Sequence, residues 1–217
     1  MRKTPTKALQ SNRTIEAPQP SNPAATRRAG SIVLARHGEP ALSRKVRLTA
    51  REYRDWWALY EAGGIIAGQS PPEHLKTAAD QAAVIYCSTR LRSIETATAL
   101  VSGRDFTRDV LFIEAPLPPP RWPDFIRLSP RKWGVISRIW WWFFGHHEDQ
   151  ESRAQAEVRA AEAARRLDEI AGKGGDVLVV AHGFFNTMIG IELRRLGWRC
   201  VKGRGYKYWS TRTFERR

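Results

Sequence analysis

Two short apolar runs in this chain stop on the same dipeptide. Residues 31–39 read SIVLARHGE and residues 176–186 read DVLVVAHGFFN. Each run is rich in branched residues and too short for a whole helix, and each is followed by Gly, the pattern of a buried parallel strand. In open α/β sheets, ligands sit just beyond the carboxyl ends of such strands. Arg36, His37 and Gly38 would then lie where chemistry is usually found. For that tripeptide alone, a strand that merely ends in polar residues is an equal reading. A single buried histidine is more often a core residue than a catalyst, but two of the chain's five histidines at matching strand ends reverse that preference.

A third stretch lies between them. Residues 83–97, AVIYCSTRLRSIETA, read as an apolar strand that gives way at Ser88 to a helical segment with Arg90 and Arg92 in its opening turns. Together the three stretches supply two imidazoles, at least two guanidiniums and backbone N–H groups near helix starts. That is equipment for holding a phosphoryl group.

On these residues the chain resembles the histidine phosphatase superfamily, the phosphoglycerate mutase-like proteins. The family's Arg-His-Gly is matched by Arg36, His37 and Gly38. Its Ser-x-x-x-Arg-x-x-x-Thr-Ala block is matched by Ser88, Arg92, Thr96 and Ala97, and its late His-Gly by His182 and Gly183. Three motifs in the right order make the resemblance specific, and it runs from about residue 31 to the C-terminus. It implies that His37 is the nucleophile, with His182 as its catalytic partner, and that Arg36, Arg92, Gly38 and Ser88 hold the phosphoryl group. It also implies an acidic residue that protonates the leaving oxygen. Glu114, at the end of a short strand expected over 110–113, is the choice, and Asp124 is its rival; the plain alternative for either is a solvated loop carboxylate. No metal and no other cofactor is needed for this chemistry. Adjacent His146 and His147 have no third ligand at metal spacing and are read as surface residues.

The order of the remaining elements supports an α/β chain. A helix over residues 48–64 has Thr49 as N-cap and Gly63-Gly64 as its stop. Residues 68–75 read as a turn-rich connection containing His74, and 77–81 lead into the second strand. Residues 151–171 form the clearest helix, with one apolar stripe and, as the resemblance of Glu151-Ser152 to the opening of the family's helix implies, Ser152 as N-cap; residues 184–196 form another, ended by Gly197. Residues 206–214 alternate enough for a last edge strand. The expected architecture is a three-layer α/β/α sandwich around a mainly parallel sheet with an antiparallel edge strand.

Charge and composition bound the setting. With 217 residues the chain suits one domain, 31–217, behind a tail. Residues 1–30 are rich in Pro, Ser, Thr and Ala with six basic residues against Glu16, which reads as a disordered basic tail. Two cysteines and no signal sequence point to a reducing cytoplasm. A formal charge of +14 favours anionic partners. Most of that charge is scattered as a solvated surface, so no specific nucleic-acid partner is expected.

The segment RKWGVISRIWWWFFG, residues 131–145, carries six aromatic rings and is too short to span a bilayer, which needs roughly 20 apolar residues. A helix with aromatics on every side must be buried or dock on something. A lid over the pocket, a homodimer interface and a membrane-surface contact aided by Arg127, Arg131, Lys132 and Arg138 are the three readings, the first two preferred.

Three functions remain open on the sequence. The leading one is a phosphatase that hydrolyses a phosphomonoester of a small metabolite or phosphoprotein through phosphohistidine. The others are a mutase-type phosphotransferase and a non-catalytic binder of phosphorylated partners or membranes. Pro40, Ala41 and Leu42 after the first motif, and Phe184 and Phe185 after the last, stand where mutases usually carry polar or small residues. These departures favour hydrolysis and a less polar pocket.

Overall fold

The computed structural model describes residues 28–101, 103–203 and 207–216. Residues 1–27 of the expected basic tail lie outside the described residues. Strand β1 (Ile32–Arg36) is followed by helices α1 (Ala50–Ala62) and α2 (Glu73–Gln81), then β2 (Val84–Ser88), α3 (Leu91–Leu100) and β3 (Thr107–Asp109). Next come α4 (Pro130–Phe144), α5 (Arg153–Gly172), β4 (Val177–Ala181), α6 (Gly183–Arg195), β5 (Arg199–Lys202) and β6 (Thr211–Glu215).

The strands form one sheet in the order β3-β2-β4-β1-β6-β5. The first four pair in parallel; β6 runs antiparallel to β1, and β5 antiparallel to β6. Alternation along β1 divides the core. Ile32 and Leu34 point into a cluster with α5 and α6, whereas Val33 and Ala35 point into one with α2 and α3. Helices therefore cover both faces, giving the expected three-layer α/β/α sandwich. The last strand is not the edge, however: β6 lies inside the sheet, and the edge is β5, four residues that carry little apolar pattern.

Local signals account for the helix ends. Thr49 and Glu52 form a reciprocal capping box on α1, and Ser152 and Gln155 form another on α5. Two elements differ from expectation. Residues 73–81 form helix α2 rather than a connection, and His74 sits on it; only Leu75 and Ala79 are buried, too few apolar positions to reveal a period. Residues 110–112 form a 3-10 turn rather than a strand. The Asp109 carboxylate accepts from Leu111 N at 2.8 Å and winds the chain there, so the strand ends at Asp109.

The aromatic segment is helix α4, stopped by Gly145 in the left-handed conformation. Trp133 packs with Tyr53, Trp56 and Tyr60 of α1 in a third cluster, and its indole N–H donates to Leu48 O at 2.7 Å. Trp141 is fully buried over α5 and donates to Glu151 O at 3.0 Å. Those two rings are core; Phe143 and Phe144, 73% and 68% exposed, are not. His146 and His147 are half-buried rather than surface residues, and a His146 ring nitrogen lies 3.0 Å from Pro119 O. No helix among the described residues is long and apolar enough to cross a membrane.

Candidate active site

Parallel register brings the motifs together. Arg36 of β1 stands opposite Ala181 of β4, so the next residues, His37 and His182, emerge side by side. On the other flank of β4, Cys87 of β2 stands opposite Val180, which sets Ser88 level with Ala181. Because β4 lies between β2 and β1, His182 sits between Ser88 and His37. The two imidazole centroids are 5.3 Å apart, edge to face at 62°.

His37 is 2% exposed, and its Nδ1 lies 2.7 Å from the Gly38 carbonyl. A carbonyl only accepts, so Nδ1 carries the proton and Nε2 keeps its lone pair. Burial, with the charges of Arg92 and Arg36 beside it, pushes the pKa of His37 well below its ordinary 6.5. The ring is therefore a neutral imidazole at neutral pH, the nucleophilic form. Gly38 is required beside it: a Cβ there would meet the Trp209 indole at 2.6 Å, and Gly38 N donates to Thr96 Oγ1 at 2.9 Å. At Gly183 the demand is milder, since a Cβ would press on the Arg36 side chain at 3.3 Å.

His182 is wholly buried, and both ring nitrogens are engaged. The Arg92 guanidinium approaches Nδ1 at 3.3 Å and can only donate, so Nε2 carries the proton and points it at Ser88 Oγ, 2.8 Å away. Burial and Arg92 hold its pKa well below the ordinary value. His182 is thus neutral in this arrangement, and its donor is an imidazole N–H rather than an imidazolium.

Arg92 enters the cavity from α3 with its side chain 1% exposed. One Nη donates to the Glu61 carboxylate at 2.6 Å and the other to Tyr60 O at 3.0 Å, with the Tyr60 ring 4.7 Å from Cζ. Glu61 also takes Arg90 at 2.7 Å, so one carboxylate from the end of α1 fixes both arginines. Arg90 is 39% exposed and does not line the cavity.

The cavity above His37 has a volume of about 490 Å³. Its charged lining is Arg36, Arg44, Arg92, Arg131, Arg138 and Glu114; its apolar lining includes Trp57, Tyr60, Leu117, Val135 and Phe184. Arg36 stacks on Tyr208 at 4.5 Å, and Arg44 donates to the Tyr208 hydroxyl at 2.7 Å. Glu114 accepts from Phe185 N at 2.8 Å and Phe184 N at 3.4 Å, which seats its carboxylate at the start of α6. Asp124 is exposed, pairs with Arg51 at 3.3 Å and is not among the lining residues. Cys87 lies beneath, with burial pushing its thiol up to about 11, so it is no rival nucleophile. Among the described residues no group of three His, Cys, Asp or Glu side chains converges as metal ligands would.

Sequence reasoning did not place Tyr60 or Tyr208 in the site. It named Arg131 and Arg138 only for the membrane contact, the least preferred of its three readings of this segment, whereas both line the cavity from α4 with Gly134 and Val135. Their spacing of seven, two helical turns, was the available signal.

The family description Histidine phosphatase superfamily (branch 1) matches residues 32–201. No curated protein sequence matches significantly. Among solved structures, a histidine-to-alanine mutant of phosphoserine phosphatase from Entamoeba histolytica, in complex with phosphoserine, aligns with a TM-score of 0.54 at 13% identity, covering 85% of this chain and 89% of that one. A structure called mycobacterial hydrolase 1 aligns at 0.50 and 18% identity, covering 77% and 80%. These likenesses are ones of fold. With the sequence match spanning most of the chain and all three motifs meeting at one cavity, the protein belongs to the histidine phosphatase superfamily.

Proposed function

We propose that the protein is a metal-independent phosphatase that hydrolyses a phosphomonoester through a phosphohistidine on His37. The observation that carries this reading is the His37 ring, its Nδ1–H committed to Gly38 O and its Nε2 left at the base of an arginine-lined cavity. The lone pair on Nε2 forms the N–P bond as the ester P–O bond breaks, and the electrons of that bond leave with the alcohol oxygen. Glu114, as the carboxylic acid, gives that oxygen its proton. Water then attacks phosphorus, the N–P bond breaks back onto Nε2, and Glu114 recovers a proton from the water. Arg36 and Arg92 face the non-bridging oxygens, and the neutral His182 is linked to Arg92 and Ser88 behind them.

The wide, partly apolar opening favours water as the acceptor over a second sugar acid, and the phosphatase named among the similar structures is in keeping with that. The test is a rapid quench after mixing with phosphomonoesters of metabolites and with phosphopeptides. An acid-labile phosphoryl group on His37 is expected, with turnover abolished in His37→Ala. Wild-type turnover in His37→Ala would remove the mechanism, and phosphoryl exchange between substrate and product pools would turn the assignment to a mutase.

A further inference from the structure

The cavity holds more positive charge than a phosphoryl group requires. After burial, the charges that hold the pKa of His37 down are those of Arg92, Arg36 and, more weakly, Arg44. Arg131 and Arg138 come from α4 and line the same space. Arg138 lies 5.2 Å over the Phe184 ring; its Nη1 reaches only Gly134 O at 3.4 Å, and its buried Nε has no hydrogen-bond partner among the described residues. Arg44 likewise has a buried Nε with no such partner. Even if Glu61, shared by Arg90 and Arg92, were set wholly against Arg92 and Glu114 were counted as ionised, four lining arginines would face three negative charges once the double charge of a phosphate monoester is added. At least one positive charge remains uncompensated. A buried guanidinium donor without an acceptor is costly, so a ligand that supplies one is favoured.

The same cavity has an apolar lining of Trp57, Leu117, Val135 and Phe184, the last of them beneath Arg138. We infer that the substrate carries, besides its phosphate, a second anionic group of single charge, a carboxylate, held by Arg131 and Arg138 across an apolar or aromatic body. This inference rests on the phosphatase reading for the phosphate end only. A small polar sugar acid would leave the apolar wall of Trp57, Leu117, Val135 and Phe184 uncovered. Arg138, stacked on Phe184, is preset to give a fork of donors, and Arg131 at the lip supplies attraction from solvent.

The test uses His37→Ala protein, which holds ligand without turning it over, titrated calorimetrically with phenyl phosphate, 4-carboxyphenyl phosphate and 3-phosphoglycerate. A charge-assisted pair predicts that 4-carboxyphenyl phosphate binds roughly tenfold or more tightly than phenyl phosphate. The advantage should fall to about threefold or less when Arg138→Gln or Arg131→Gln is added, and persist with Lys132→Gln, an exposed cation on the same helix outside the lining. Equal binding of the two aryl phosphates, or an equal loss in Lys132→Gln, would overturn the subsite. Binding of 3-phosphoglycerate as tight as that of the carboxyphenyl ester would overturn the apolar spacer. The phosphohistidine assay on the wild type is separate. A carboxylate preference without an adduct would sink the phosphatase and keep the subsite, and an adduct without a preference would do the reverse.

Discussion

Acidifying the solution should destabilise this protein before most carboxylates titrate, because His37 and His182 are buried in neutral form among arginines. Both folded-state pKa values lie well below the ordinary 6.5, with burial the largest cause and Arg92 the next. As pH falls through 6.5 the unfolded chain takes up two protons that the folded chain refuses, so stability drops with falling pH and goes on dropping until the folded values are reached. The linkage slope climbs to about 1.4 kcal/mol per pH unit for each histidine below 6.5 and averages about half that across the midpoint, so the pair loses about 2 to 3 kcal/mol between about pH 7.5 and about pH 5.5. Urea unfolding followed by the fluorescence of the nine tryptophans would read this as a midpoint lower by about 1 M at the acid end. His182→Asn and His37→Asn, which remove one titrating ring each, should each cut the loss by about half. If the double variant loses as much stability over this window as the wild type, the histidines are not held neutral by the fold. The tautomer argument for His37 as nucleophile would then lose its electrostatic support.

Three further outcomes are expected. Arg92→Ala should lower kcat/KM by about 2 kcal/mol or more in transition-state terms, and more than Arg90→Ala, which removes a half-exposed partner of the same Glu61; equal losses would mean that the wrong arginine faces the phosphate. Glu114→Gln should slow alkyl phosphates far more than aryl phosphates with good leaving groups, because only the former need the proton, and a uniform loss would reduce Glu114 to a cap on α6. Trp141→Ala should destabilise by about 3 to 5 kcal/mol, whereas Phe143→Ser should change stability by less than about 1 kcal/mol, both read by denaturant midpoint. The reverse order would make the exposed end of α4 the buried one.

What the sequence alone determined is what local pattern encodes. Apolar runs ending in His-Gly, the Ser88 and Arg92 block, and the Thr49 and Ser152 capping boxes depend on neighbours a few residues away, so the strands, helix starts and three-layer order could be read from them. Weak or long-range elements could not be read. Helix α2 buries only two side chains, the 110–112 turn is wound by a single Asp109 contact, and β5 finds its place only by pairing with β6. The site divides along the same line. His37, Gly38, Ser88, Arg92 and His182 each belong to a short motif, but which charges face them depends on the register of β1, β4 and β2 and on how α1 and α4 pack. That packing sends Arg131 and Arg138 inward with one face of α4 while Trp133 and Trp141 anchor the helix to the core. Helical periodicity fixes which residues share a face, but only the tertiary contacts of the two tryptophans decide what that face looks upon.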